Sequence, residues 1–568
     1  MADIGRGIFC LKAPWRSLFI FCLLVSSLAG AAGGPRGEAV ASAHPLATEA
    51  GLMVLQAGGN AFDAAVAVSA ALAVVEPYGS GLGGGGFWLL HRARDGHQVM
   101  IDGRERAPFA AHPDMYLDER GEVVAGASID GPLAAGIPGT PAALVHIADH
   151  FGRLPLSVSL RPAIILAGDG FPVDRVYRRM AGLRLSALRD SAEAAAQFLL
   201  DGEVPPEGHR LRQPALAETL QEIARNGARG FYEGEIAERL VTAVRAGGGI
   251  WSRRDLRDYR VVERAPVAVR FGEYRLVSAN LPSSGGILLV QMLNMLAARP
   301  LDGLDEVGRI HLLVEIMRRA YADRARYLGD ADHVSVPVAR LLNRGYAQRL
   351  VQQIDPERAT PSPVLTDPPA EGRDTTHFSV LDAAGNRVAA TLSVNYPFGS
   401  GFVAAGTGVL LNDEMDDFSA KPGSANAYGL IGNHANAIAP GKRMLSSMAP
   451  TFLESPDRVA ILGTPGGSRI ISMVLLGLLD AIDGRPVADW VARGRFHHQY
   501  IPDRVEVEPA VFGDEVLDGL RQKGHRIRQL EGPYGNMQAI SWDRVSGEVT
   551  AASDPRGIGR SVVMPLSR

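Results

Sequence analysis

Between residues 374 and 417, apolar and polar positions alternate on either side of the turn Asp382-Ala383-Ala384-Gly385-Asn386, the pattern of a β-hairpin. Centred on Ala384, the hairpin sets residues whose numbers sum to 768 opposite one another, so Thr375 faces Ser393. One face carries Thr375, His377, Thr391, Ser393 and Asn395, and the other Phe378, Val380, Val388, Ala390, Leu392 and Val394. The apolar face belongs to a core, and the polar face gathers hydroxyls around Thr375. Upstream, residues 60–75 open with Asn60, place Asp63 three positions on, and then carry Ala and Val on every side, which predicts a capped helix buried all round. Residues 87–91 and 98–102 flank Arg94-Asp95-Gly96 and predict a second hairpin, whose return strand delivers Arg104 at its exit. From 136 to 358 the pattern is mostly that of amphipathic helices, at 144–150, 216–225, 236–244 and 307–327. A strand at 273–279 and a helix at 287–296, opened by PSSGG, interrupt them. A short strand at 408–411 leads into an acidic turn. Helical segments enclosing apolar strands predict a layered protein of helices and sheets.

Residues 355–374 break this pattern. Prolines stand at 356, 361, 363, 368 and 369 among few apolar residues, so a surface loop is expected there. A loop running straight into a buried, Thr-led strand is what a hydrolase precursor needs if it is cut before its own nucleophile. Cutting between Asp374 and Thr375 frees an amine beside the Thr375 hydroxyl. An α-amino group with a pKa of roughly 7.7–8.0 keeps enough neutral form near neutral pH to take the hydroxyl proton. His377, two residues on and on the same face, is the rival base. The competing reading of the stretch is an ordinary hairpin with solvent-facing Thr and Ser.

At the N-terminus, Lys12 and Arg16 precede a mostly apolar run at 18–28, and Ala29-Gly30-Ala31 follows it, which predicts a secretory signal over residues 1–31. The run is too short to span a bilayer, and the alternative is an uncleaved anchor. A periplasmic or secreted protein is expected. Both cysteines, Cys10 and Cys22, lie in that segment, so the mature chain has no disulfide framework and no thiolate metal site. The 58 Lys plus Arg against 62 Asp plus Glu leave the charge near balance, without the basic stripe of a nucleic-acid binder. The length suits roughly three or four average domains, or one large sandwich with insertions.

Three local features suggest other chemistry, and each is excluded by its context. Gly79, Gly81 and Gly84 spell GxGxxG, but the run follows a helix and opens a strand, the reverse of a dinucleotide-binding turn. Tight backbone packing beside a site is the expected role. The acidic cluster Asp413, Glu414, Asp416 and Asp417 does not have EF-hand spacing. His497-His498 has no further ligand at metal spacing. Neither a metal nor a cofactor is expected.

The motifs TTHFSVLDAAGN, TGVLLNDEMDDFS, KRMLSSMAPT and TPGGSRI do not stand alone. AGGNAFDAAVAVSAALAVVEP, GLGGGGF, IDGRERAP, GIPGT and PSSGG precede them, and RFHHQ and ASDPR follow. Together they resemble the γ-glutamyltransferase (glutathione hydrolase) family over nearly all of the mature chain. The resemblance implies an α+β N-terminal-nucleophile fold, an αββα sandwich formed jointly by a large subunit over 32–374 and a small subunit over 375–568, cut from one precursor. It implies ping-pong transfer of a γ-glutamyl group, from glutathione or a related compound to water or an amine, through an acyl-enzyme on Thr375. Ser393 would support the nucleophile, and Gly466 and Gly467 would form the oxyanion hole, where glycine lets backbone N–H groups approach closely. Arg104, Ser446 and Ser447 would hold the substrate α-carboxylate, a task suited to a guanidinium fork. Asn395, Glu414 and Asp417 would hold the α-ammonium, with residues 422–440 around Tyr428 as a lid. Arg106 is the nearest competitor for the role of Arg104.

The chain departs from the family pattern in three places. Ser393 stands where a second threonine is usual, Met444 replaces the usual proline before Leu445-Ser446-Ser447, and Tyr396-Pro397 replaces more polar residues after Asn395. These bear on processing rate, acceptor choice and pocket shape. The close alternative is an acylase for glutaryl-type side chains, which lack an α-amino group; against it, Asn395, Glu414 and Asp417 would then face no cation. A non-catalytic solute-binding protein, which predicts an uncut chain, and a dinucleotide oxidoreductase are the alternatives from other classes.

Overall fold

The computed structural model describes residues 33–363, 375–421, 423–426 and 428–566. The expected signal segment and the bond between Asp374 and Thr375 fall outside them. Two antiparallel sheets lie face to face. The first has seven strands in the order Arg560–Pro565, Gly37–Ser42, Thr376–Leu381, Arg387–Ser393, Gly85–Arg92, His97–Gly103 and Val262–Arg264. The second has six, Val549–Ser553, Gln538–Asp543, Arg458–Gly463, Thr451–Glu454, Tyr274–Ser278 and Val267–Phe271. Helices cover both outer faces. The helices at Pro45–Gln56, Ala61–Val75 and Leu156–Asp169 share a core with Phe378, Val380, Val388 and Ala390 of the first sheet. Gly285–Ala298 and Ile470–Ile482 share another with Phe452 and Ile461 of the second, into which Ala39, Phe87 and Ala389 of the first sheet also project. The result is a helix, sheet, sheet, helix sandwich, the expected α+β class.

The hairpin register is the expected one: Val380 pairs with Val388 and His377 with Thr391. Its environment is not that of an ordinary surface hairpin, since every residue of both strands is buried. The polar face lies between the sheets, where a Cβ on Gly463 would come within 2.3 Å of the His377 ring. The two strands lie near the middle of the seven, with partners on both sides, which removes any edge.

The helix Ala61–Val75 is buried along its whole length and is capped reciprocally by Asn60 and Asp63. Ala and Val permit this because they pack closely and lose little side-chain entropy. The hairpin of Gly85–Arg92 and His97–Gly103 turns at Gly96, whose φ of +69° is open to glycine. Strand 273–279 and helix 287–296 are observed as Tyr274–Ser278 and Gly285–Ala298, and the helix expected over 307–327 as Glu306–Tyr327. No described helix is long and apolar enough to cross a membrane.

The glycine run packs as its context requires. Asn412 donates to the Gly83 and Gly136 carbonyls at 2.6 and 2.8 Å, and a Cβ on Gly84 would sit 2.1 Å from the Ser393 carbonyl oxygen. At Gly79 the same atom would meet only the Glu76 side chain, at 3.3 Å. Gly84→Ala should therefore lower stability by about 1–3 kcal/mol or more, since backbone must move, whereas Gly79→Ala should be nearly neutral. Thermal unfolding of the two variants checks this, and equal melting temperatures would remove the packing account of the run.

Candidate active site

Thr375 immediately precedes the central strand Thr376–Leu381, and its Oγ1 lies 3.3 Å from Ser393 Oγ on the neighbouring strand. Ser393 Oγ also accepts from the Asn395 backbone N–H at 2.8 Å. Asn395 leaves the strand with φ +78°, a left-handed conformation that asparagine tolerates, and its amide donates to the Asp413 carbonyl at 3.0 Å. The rival base is turned elsewhere. His377 Nδ1 lies 2.9 Å from Thr391 Oγ1 and Nε2 lies 3.4 Å from Ser379 Oγ, and burial pushes its pKa down to about 3. A neutral ring with both nitrogens engaged is a structural group.

Opposite Thr375, the strand Val409–Leu410 ends in a short 3₁₀ turn at Glu414–Asp417. Arg104, 1% exposed, reaches into this turn from the end of His97–Gly103. Its guanidinium pairs with Glu414 at 2.7 Å and also with Asp417, while Glu105 lies 3.6 Å away. Burial opposes the charge on Arg104, but the carboxylates of Glu414, Asp417 and Glu105 outweigh it and raise the pKa. Burial conversely pushes the carboxyls of Glu105, Glu414 and Asp413 up, with Arg104 pulling back on the first two. Glu105, Glu414 and Asp417 thus share one arginine. Arg106 lies apart, over the rings of Phe109 and Tyr259, and is outside the cavity.

The third wall carries Ser446, Ser447, Gly467, Ser468 and Ile470. Gly466 and Gly467 have φ of +133° and +54°, and neither backbone N–H donates to another described residue. They lead into the helix Ile470–Ile482, whose N-terminal end, with its positive dipole, faces the cavity. Tyr428 closes the top: its hydroxyl donates to the Asn395 carbonyl at 2.6 Å, and a Cβ on Gly467 would strike its ring at 2.3 Å. Asn426, from the same expected lid, donates to Asp417 at 3.1 Å. Pro422 and Ala427 of that segment lie outside the described residues.

These walls line one small pocket. Arg104, Thr375, Ser393, Asn395, Glu414, Asp417, Ser446, Ser447 and Gly467 all line it; Gly466 is next to it in the chain and does not. Met444 is buried in a small apolar cluster with Tyr116, Met415 and Phe418, and only its carbonyl reaches the site, accepting from Arg104 at 3.3 Å. The Met444 side chain therefore does not line the cavity. Sequence reasoning missed Leu430, Met448, Ser468 and Ile470 as lining residues, and Glu105 beneath Arg104. Only Glu105 carried a signal, as the acid within Arg104-Glu105-Arg106. Among the described residues no cluster of three or more potential ligands could hold a metal ion. His497 and His498 are buried and engaged with Ser472, Gln499 and Asp503, as structural groups are.

The family described as gamma-glutamyltranspeptidase matches residues 47–564. The glutathione hydrolase proenzyme of Escherichia coli (strain K12) is 42% identical over 527 residues, covering 91% of this chain and 90% of that one. Among solved structures, the gamma-glutamyltranspeptidase of Helicobacter pylori is 41% identical with a TM-score of 0.55, covering 56% of this chain and 92% of that one. The cephalosporin acylase of Bacillus halodurans is 28% identical with a TM-score of 0.82, covering 93% of this chain and 96% of that one.

The buried histidines make acid stability a test of the site's packing. Between the unfolded value near 6.5 and about 3, the folded chain binds fewer protons at His377 than the unfolded chain does. Its contribution is therefore present above pH 6.5 and lost as pH falls toward 3. His377→Gln should flatten the decline of melting temperature between pH 6.5 and about 4 relative to wild type. An unchanged slope would mean that His377 is not buried neutral.

Proposed function

The chain belongs to the gamma-glutamyltranspeptidase family, and from that premise we propose that Thr375 is the nucleophile of a γ-glutamyl hydrolase and transferase cut from a single precursor. The observation that carries this reading is the convergence of the Thr375 hydroxyl, the Arg104 pair with Glu414 and Asp417, the two serines and the Gly467 turn on one small cavity. In the precursor the Thr375 hydroxyl attacks the Asp374 carbonyl, the acyl group moves from nitrogen to oxygen, and water hydrolyses the ester. The freed amine becomes the base. Thr375 Oγ1 then attacks the γ-carbonyl carbon, and its proton passes through the amine to the departing nitrogen as the amide bond breaks. The oxyanion is held by N–H groups at Gly466 and Gly467. Water or an amine acceptor attacks the resulting ester and releases the glutamyl group.

Arg104 and the serines meet the α-carboxylate, and Glu414, Asp417 and Asn395 the α-ammonium. A zwitterion suits this cavity because each of its charges exchanges an internal ion pair for an external one. A glutaryl side chain would leave the carboxylates without that exchange. The overall likeness to the Bacillus halodurans acylase therefore speaks for the shared fold, and the acidic turn for the α-amino substrate.

The heterodimer follows from where the cut would fall. The first sheet interleaves strands from both sides of residue 374, with Gly37–Ser42 lying between Arg560–Pro565 and Thr376–Leu381 and with Arg387–Ser393 paired to Gly85–Arg92. The tail before it stays bound: Thr360 donates to Glu315, Ser362 N–H to Asp503 at 2.9 Å, and Ala359 N–H to the Lys523 carbonyl at 2.7 Å. Two subunits, 32–374 and 375–568, would remain one body. The coverage relation with the Helicobacter pylori chain, 92% of it against 56% of this one, supports a chain of large-subunit length. The N-terminal segment supports export to the periplasm or beyond.

Purified protein should run as two fragments split between Asp374 and Thr375, and Thr375→Ala should give an uncut, inactive chain. His377→Gln should still be cut and turn over γ-glutamyl-p-nitroanilide. A full-length wild type that hydrolyses this substrate would overturn the amine mechanism. Asp417→Ala should cost about 2–5 kcal/mol in kcat/KM with γ-glutamyl substrates, and far less with glutaryl ones. Equal losses would make Asp417 a structural residue.

A further inference from the structure

Behind the two serines lies a second guanidinium. Arg324, on the helix Glu306–Tyr327, is 5% exposed, and among the described residues no carboxylate lies within ion-pair distance of it. Its Nε donates to Ser284 Oγ at 3.0 Å and an Nη to Ser447 Oγ at 3.2 Å. Ser284 Oγ donates in turn to the Ser446 carbonyl at 2.7 Å. The nearby charges are those of Asp417, which favours the cation, and Arg104, which opposes it. A buried cation without a paired anion is costly, so its retention calls for a counter-ion.

The hydroxyl polarity points to where that counter-ion sits. A serine that accepts from a guanidinium has its own proton left to donate. Ser447 accepts from Arg324, and Ser446 Oγ accepts from the Met448 N–H at 3.1 Å. Both line the cavity, so both are set to donate to an acceptor bound there. Arg104, by contrast, is already occupied by Glu414 and Asp417.

We propose that Arg324 is a positioning and specificity residue which, through the Ser447 hydroxyl, commits this site to substrates bearing an α-carboxylate, the substrate supplying the counter-ion that the folded chain lacks. The inference rests on the γ-glutamyl reading above. Arg324 need not touch the substrate. It orients and polarises Ser447, and a buried field from a fixed guanidinium is weakly screened.

The test compares γ-glutamyl-p-nitroanilide with its analogue in which the α-carboxylate is a carboxamide, using processed wild type, Arg324→Gln, Arg324→Lys, Ser447→Ala and the double variant Arg324→Gln/Ser447→Ala. Arg324→Gln should raise KM for the carboxylate substrate about tenfold or more, with kcat changed less than about threefold, and should barely alter the carboxamide. Arg324→Lys, which keeps the charge, should recover part of the loss. The double variant should be little worse than the worse single one, because both changes remove one interaction. Equal losses on both substrates, or additive losses in the double variant, would overturn the proposal. If Arg324→Gln does not accumulate as processed enzyme, Ser447→Ala decides: an unchanged KM ratio between the two substrates overturns it. A wild type inactive on both substrates would instead sink the γ-glutamyl reading itself.

Discussion

The antiparallel pairing of Thr376–Leu381 with Arg387–Ser393 is the constraint on which the rest of the molecule depends. Side chains alternate between faces with a period of two, so a slip of one residue would drive Phe378 and Val380 between the sheets and His377 and Thr391 into the helical layer. Both faces are buried, which makes such a slip prohibitive and gives Thr375 a single direction. The Asp382 to Asn386 turn reinforces the register. Asp382 accepts from the Asn386 backbone and side chain at 3.0 and 2.8 Å and also from the Ala61 N–H at 2.9 Å, tying the hairpin to the start of the buried helix.

Around that fixed point the protein keeps an unusual amount of charge out of water. Arg104 with Glu105, Glu414 and Asp417 on one side, and Arg324 with its two serines on the other, are brought together from segments far apart in the chain. Such groups contribute little to stability, because desolvation cancels most of the attraction. Under the function proposed above they act as a preorganised receptor whose internal pairs yield to those of a zwitterionic ligand. Rigid supports maintain them: Asn412 locks the acidic turn to Gly83 and Gly136, and Asn436 holds the Asp417 carbonyl at 2.7 Å and the Leu445 N–H at 3.0 Å.

Large and small portions of the chain contribute jointly to each layer. The helix Glu306–Tyr327 shows this, since Tyr321 donates to the Ser468 carbonyl beside the Gly466-Gly467 turn and Arg324 to Ser447 on the wall of the cavity. Both supported residues come from the other side of the expected cut. A chain assembled this way would keep its core if the peptide bond before Thr375 were broken, because the cross-sheet hydrogen bonds and the packed interior do not run through that bond.

Local periodicity by itself determined the hairpin and its register, the buried capped helix, and the hairpin that delivers Arg104, because each is decided by neighbours within about twenty residues. The motifs also singled out nine of the residues that line the cavity, from Arg104 to Gly467, and left out Leu430, Met448, Ser468 and Ile470. What only the tertiary structure decided is which polar groups face one another. The polar face of the hairpin reads the same whether it meets solvent or a second sheet, and Gly463 against His377 settles that it meets a sheet. The pairing of Arg104 with the acidic turn, the removal of Met444 from the cavity and the placing of Arg324 behind Ser447 all join positions far apart in the chain. Charge partners and counter-ion deficits of this kind are properties of three-dimensional proximity in a low-dielectric interior, which no spacing along the chain encodes.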